Sequence, residues 1–287
     1  MKDTKETIMR FVFLISACVS ILAVTLICVF LFANGVPAIG EIGVFDFLLG
    51  RTWKPSSDLY GIFPMILGSI YVTAGAILIG VPVGILTAVF LAESCPKWLY
   101  RIVKPMVELL AGIPSVVYGF FGLVVLVPFV RNTFGARFGG SGSSIFTASL
   151  LLGVMILPTI IGISESAIRA VPTYYYEGSL ALGATHERSV FFAVLPAAKS
   201  GIMSAIVLGI GRAIGETMAV IMVAGNQARM PKGIFEGIRT LTANIVIEMG
   251  YATGLHRGAL VGTGVVLFVF ILIINLLFSI LKRKEKA

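Results

Sequence analysis

The chain has 287 residues, of which 57% are hydrophobic and 13% charged, and its mean hydropathy is +1.00. A soluble domain carries roughly twice that charged fraction, so this apolar surface needs lipid as its solvent. The net charge of +8 does not indicate nucleic acid, because the Lys and Arg residues lie between apolar runs and form no single patch.

Six apolar segments follow one another at about 11–33, 62–92, 106–130, 145–164, 197–225 and 258–281. Each is close to or above the roughly 20 residues that cross a hydrocarbon core. The first holds Cys18 and Cys28; with Cys95 these make neither a disulfide framework nor a metal spacing. It is too long for a signal-peptide core and ends in no small-x-small site. The second is longer than one span needs, and its "GVPVG" (80–84) predicts a kink. In the third, "AGIPSVVYGFFG" (111–122) places Pro114 between Gly112 and Gly119. A kink is expected there too, with Ser115 and Tyr118 satisfying freed backbone groups or lining a path.

Lys and Arg counts set the orientation. One set of span ends holds 13, the other 8, and Arg212 is left over inside a span. The bias puts both termini in the cytoplasm. Outer loops then cover 34–61, 131–144 and 226–257, and inner loops 93–105 and 165–196. The expected organisation is a first span with its outer loop (1–61), a transmembrane domain (62–281) and a basic tail (282–287).

The inner loop 165–196 predicts a short helix after Pro172, a turn at Gly183 and a second short helix ending at Pro196, with Thr173 and Thr185 as caps. Leu180, Ala181 and Leu182 are apolar in a segment that should be wet, which suggests a knob seated in another protein. Within it, "EGSLALGATHERSVFFAVLP" (177–196) resembles the EAA motif of ATP-binding-cassette importer permeases. Glu177, Gly183, Leu195 and Pro196 fall at the matching positions; Gly178, Ser179 and Ala193 depart from the pattern. The resemblance implies coupling to an ATPase subunit through Glu177, Leu180, Gly183 and Pro196. The chain itself has no G-x-x-x-x-G-K-[ST] phosphate loop, no metal box and no nucleophile–base set, so it is read as a non-enzyme that binds no cofactor. ATP and Mg would sit in the partner. His186 and His256, in predicted loops, are read as solvated side chains.

The fifth segment contains "GIGRAIGETMAV" (209–220). Arg212 is 16 residues beyond Pro196, about 24 Å along a helix and close to mid-membrane. At i and i+4, Arg212 and Glu216 would share one helix face. Each costs on the order of 3 kcal/mol in a lipid-facing span, so that face must point into protein or a watery path. An Arg fork fits carboxylate, phosphate or sulfate oxygens. The neighbouring Glu would accept a hydrogen bond from a protonated oxygen, which phosphate carries at neutral pH and sulfate does not.

"GIGRAIGETMAVIMVAGN" (209–226) resembles the fifth-span signature of PstC-type permease subunits of bacterial phosphate ABC importers. "AESCPKWLYRIVKPMVELLAGIPSVVYGFFGL" (92–123) and "WKPSSDLYGIFPMILGSIYVT" (53–73) are similar to the same subunits. The resemblance implies an all-α integral membrane fold, six transmembrane helices with a MetI-like core, in the plasma or inner membrane. It implies half of a translocation pore, with Arg212 and Glu216 tied to phosphate passage. The implied partners are a PstA-like second permease, an ATP-binding-cassette ATPase dimer, an extracytoplasmic phosphate-binding protein, inorganic phosphate and the lipid bilayer, with no nucleic acid. A PstA-type sister subunit, a permease for sulfate, molybdate or tungstate, a secondary anion transporter with Glu216 carrying a proton, and a non-transporting scaffold stay open as alternatives.

Overall fold

The computed structural model describes residues 2–135 and 139–284; Arg137 and the last three residues of the basic tail, counted above, lie outside them. Six helices among the described residues are long and apolar enough to span: Glu6–Ile42, Phe63–Ser94, Ser115–Gly135, Ile145–Arg169, His186–Gly215 and Gly254–Ile280. The expected six spans are present, with shifted boundaries at the third and fifth.

Helix α1 (Lys2–Ile42) is followed by the short α2 (Val44–Leu49). None of the apolar window of α1 is buried within the chain. Phe11, Leu14, Ile21 and Ile27 all point outward, as lipid-facing side chains do. Only its far end meets protein, at α13 (Gly254–Lys284), where Phe32 and Phe268 meet edge to face at 5.9 Å. Next comes a two-stranded hairpin, β1 (Trp53–Lys54) antiparallel to β2 (Leu59–Tyr60), with Trp53 opposite Tyr60.

The centre of the fold is α3 (Phe63–Val89) against α7 (Ile145–Arg169). Two-thirds of the α7 window, 67%, is buried, because α3 and the helices Lys97–Gly112 and Leu195–Gly215 all pack on it. The "GVPVG" segment has a packing role: α3 continues as one helix through Pro82. A Cβ at Gly80 would lie 2.8 Å from the Gly153 carbonyl, and one at Gly84 2.7 Å from Ile160, so both glycines let α7 approach backbone to backbone.

The third span does not begin at 106. Residues 97–112 form a separate helix, α4 (Lys97–Gly112), and the chain breaks at Ile113–Pro114 before α5 (Ser115–Phe121). A π-helical turn (Gly122–Leu126) leads into α6 (Val127–Val130), and a second (Arg131–Gly135) ends the span. Pro114 has no N–H to offer the Leu110 carbonyl four residues back. The Tyr118 hydroxyl donates to that carbonyl instead, at 2.9 Å.

The inner loop forms α8 (Thr173–Ala181), a turn at Gly183 with φ of +83°, and α9 (His186–Ser189). Thr185 caps α9, its hydroxyl accepting from the Arg188 N–H. Thr173 is not a cap: it is the first helical residue, and Pro172 occupies the cap position without a side-chain bond. Nor does a break fall at Pro196. A π turn (Val190–Val194) joins α9 to α10 (Leu195–Gly215), where Pro196 sits in the first turn and its missing N–H is not needed. The result is one 30-residue rod from His186 to Gly215.

Candidate functional site

The fifth span was expected to run unbroken to Gly225. Instead α10 ends at Gly215, Glu216 is extended (φ −67°, ψ 131°), and a short α11 (Met218–Val223) follows. The cause is local. One carboxylate oxygen of Glu216, Oε1, accepts the backbone N–H groups of Thr217 (3.1 Å) and Ala219 (3.2 Å), which α11 leaves free at its start.

This break corrects the expected shared helix face. No ion pair joins Arg212 to Glu216 among the described residues. Arg212 is half-buried and its Nη1 donates to the Thr159 hydroxyl of α7 at 3.3 Å. Glu216 is half-buried as well, and its second oxygen, Oε2, has no hydrogen-bond partner among the described residues. A Cβ at Gly211 or Gly215 would meet nothing within 4 Å, so the helix surface beside both charges is open.

Tyr118 and Ser115 come from α5, which packs against α11. Tyr118 is buried in the same apolar cluster as Ala213 and Ala219. Ser115, half-buried, opens α5. The four predicted path residues therefore lie on two neighbouring broken spans. Glu177, Leu180, Gly183 and Pro196 are grouped far along the chain at the other end of the rod, all exposed. Around them Leu182 is 91% exposed and Tyr174 stacks on Tyr175 at 4.6 Å, so the knob does present an apolar surface. His186 is not free in solvent: its Nδ1 pairs with the Tyr176 hydroxyl at 2.9 Å and ties α8 to α9.

Two charged networks flank the break, and the sequence reading missed both. Toward the end of α7 that carries Arg169, Glu165 is only 2% exposed. It accepts from Tyr100 (2.7 Å), Lys104 (2.7 Å) and Arg169 (2.9 Å), and Arg169 also donates to the Leu91 carbonyl (2.7 Å). Burial works against the charged Lys104, but Glu165 more than offsets it and its pKa is raised. The spacing of Tyr100 to Lys104 and of Glu165 to Arg169, i to i+4 in each case, was the available signal.

At the other end of α3 lies the segment expected as the outer loop 226–257, whose last residues, from Gly254, already belong to α13. It turns back into the fold: Ile238 donates to the Ala224 carbonyl (2.9 Å), and the Leu241 N–H donates to the Ser69 hydroxyl of α3 (3.0 Å). It then forms α12 (Leu241–Glu248). Glu248, 6% exposed, accepts from the Trp53 indole (2.9 Å), pairs with His256 (2.8 Å) and receives Arg239 Nη1. Arg239 also donates to the Asn226 carbonyl (3.1 Å) and Asn244 Oδ1 (3.0 Å). His256 is therefore a partly buried network member, stacked near Tyr60, and not a solvated side chain.

Six spans, a broken span whose Arg212 and Glu216 form no ion pair among the described residues, and an exposed helical knob define a membrane permease of the ABC-importer type. A model of the family described as binding-protein-dependent transport system inner membrane component matches residues 80–286, and the chain belongs to that family. The probable ABC transporter permease protein YqgH of Bacillus subtilis is 40% identical over 282 residues, covering 96% of this chain and 90% of YqgH. The phosphate transport system permease protein PstC of Mesorhizobium japonicum is 37% identical, covering 86% of this chain and 81% of that protein. PstC of Pasteurella multocida is 34% identical, covering 84% and 82%. Among solved structures, the inward-facing MetNI methionine ABC transporter shares the fold with a TM-score of 0.62 at 22% identity, over 82% of this chain and 99% of that one. A bacterial alginate ABC transporter in complex with its alginate-bound periplasmic protein does so with a TM-score of 0.63 at 19% identity, over 93% and 94%.

Proposed function

We propose that the chain forms half of the pore of an ATP-driven inorganic phosphate importer. The observation that carries this reading is the uncompensated Arg212. It is held in the last turn of α10 by one hydroxyl, with open space beside Gly211 and Gly215. Phosphate fits both groups at the break. The Arg212 fork donates to two phosphate oxygens. Glu216 Oε2 accepts the hydrogen of a P–OH, while Oε1 stays occupied by the backbone of α11. Sulfate has no such hydrogen and meets only repulsion from Glu216. The similarity to phosphate transport permeases supports the same choice of substrate.

A PstA-like second permease would close the open side of α10 and complete the path. Both termini and the 173–190 knob would face the cytoplasm, as the basic span ends suggest. There Glu177, Leu180, Gly183 and the exposed Leu182 would seat in an ATPase subunit, with ATP and Mg held entirely by that partner. The rod from His186 to Gly215 is about 45 Å long and carries the knob at one end and Arg212 near the other. Closure of the ATPase dimer would move the rod as a unit and expose Arg212 to alternate sides. A loaded phosphate-binding protein would dock outside, on the hairpin and the surface around it.

The test is labelled phosphate uptake in cells whose sole phosphate importer contains this chain. Arg212→Gln should abolish uptake at equal membrane abundance with the complex assembled. Glu216→Gln should admit sulfate as a competitor. Normal uptake by Arg212→Gln would overturn the path assignment, and a wild type that carries no phosphate would overturn the substrate.

A further inference from the structure

Glu216 is held from both sides. Its carboxylate caps α11, and its carbonyl accepts the Thr242 hydroxyl at 3.1 Å. Thr242 lies 3.1 Å from the Thr240 hydroxyl, and Thr240 Oγ1 accepts the Ala243 N–H at the start of α12. A hydroxyl has one hydrogen. Thr242 gives its own to Glu216, so Thr240 gives its own to Thr242, and the chain of bonds has one direction. Both threonines are under 10% exposed, Thr240 at 4% and Thr242 at 7%. Thr240 follows Arg239 directly, and Arg239 is fixed by Glu248, which holds the Trp53 indole of the outer hairpin. Glu248, Arg239, Thr240 and Thr242, with the Arg239–Thr240 peptide as one step, therefore connect Trp53 of the hairpin to the carbonyl at the break in the pore helix.

The same segment is incompletely paired in this arrangement. Asn226 Oδ1, Gln227 Oε1 and Asn244 Nδ2 are buried without a hydrogen-bond partner, and Arg239 touches both asparagines.

We infer that Trp53, Glu248, Arg239 and Thr242 are positioning residues that deliver displacement of the outer hairpin to Glu216. The inference rests on the importer reading above. Trp53 itself is 7% exposed and does not present a docking surface, whereas Lys54 and Leu59 beside it are exposed. A partner that presses on the hairpin moves the indole on Glu248. Arg239 follows, the Thr240–Thr242 step shifts, and the Glu216 carbonyl is pulled or released. Glu216 then re-aims Oε2 relative to Arg212 without any direct contact between partner and path.

The experiment uses the complete complex in proteoliposomes, with phosphate uptake, basal ATPase rate and its stimulation by loaded binding protein as readouts. Trp53→Phe removes the indole N–H together with its five-membered ring, and Thr242→Val removes the hydroxyl with the side-chain shape kept. Each should leave basal ATPase unchanged and cut stimulation about fivefold or more, the low end of ordinary coupling between sites. Thr242→Ser should restore stimulation. The double variant should be no worse than the worse single one, because both act on one connection. Stimulation within about twofold of wild type for Thr242→Val, or effects that multiply in the double variant, would overturn the inference. Should Thr242→Val fail to assemble, Trp53→Phe decides alone: undiminished stimulation overturns it. A wild-type complex that neither takes up phosphate nor responds to loaded binding protein sinks the importer reading itself, a separate result.

Discussion

Glu165 and Glu216 lie at the two ends of one comparison. Glu165 is 2% exposed and accepts from a phenol, an ammonium and a guanidinium supplied by α4 and α7. Glu216 is half-buried, receives only two backbone N–H groups, and leaves one oxygen unused. Glu248 repeats the Glu165 pattern at the hairpin end of the fold, with Trp53, Arg239 and His256 as partners. The difference separates charges that hold helices together from charges kept available. A carboxylate saturated by side chains from two elements has nothing left for a solute. A cation and a carboxylate placed near each other yet left unpaired have interaction energy in reserve for one.

The sharpest way to break the comparison is to remove a saturated carboxylate. Glu165→Ala leaves Lys104, 22% exposed, without its main counter-charge and leaves the Arg169 side chain without its carboxylate one turn back on α7. Breaking a buried pair from one side costs about 3–5 kcal/mol, and the 46% exposure of Arg169 puts this case near the lower end, about 3 kcal/mol. Glu248→Ala should cost a similar amount. Thermal unfolding of the detergent-solubilised complex would report both as the largest drops in Tm. A shift no greater than that of a surface substitution would mean that these networks do not hold the fold.

A middle case is the break at Pro114. Here too a side chain completes the backbone, but the bond is neutral: the Tyr118 hydroxyl to the Leu110 carbonyl. Tyr118→Phe should therefore cost about 1 kcal/mol, the worth of one such bond. Phosphate uptake should persist, because the hydroxyl is already engaged by the backbone. Uptake lost without a matching fall in Tm would move Tyr118 into the path beside Arg212.

Much of the architecture was legible because lipid imposes a simple requirement. Twenty or so apolar residues without charge form a span, and six such runs are six helices here. Arg212 and Glu216 stood out for the same reason, as charges inside such a run. The break between them was not legible. Nothing in "GIGRAIGET" forbids a helix except Gly215, and the span stops because Glu216 uses its own carboxylate on the following turn. Pro196 misled in the other direction: a proline in the first turn of α10 starts that helix rather than stopping its predecessor. The two flanking networks were hidden by distance along the chain. Lys104 meets Glu165 across 61 residues and Trp53 meets Glu248 across 195, and no local periodicity records such pairs.

The smallest expected change in stability belongs to Arg212→Gln, and that is its value. Arg212 has one hydrogen bond, at 3.3 Å, to a hydroxyl. Gln keeps a donor and removes a charge that forms no ion pair with a carboxylate among the described residues. The loss of a bond this long is worth about 0.5 kcal/mol, and deleting an unpaired cation from a span offsets it. Tm should stay closer to wild type than in Tyr118→Phe, while uptake is abolished. The residue that contributes least to folding would then contribute most to transport, as expected of a charge held in reserve. A fall in Tm comparable to that of Glu165→Ala would mean that Arg212 is already paired in the assembled complex. Glu216 would then have to act on the solute alone, and a carboxylate alone would repel the anion it is meant to pass.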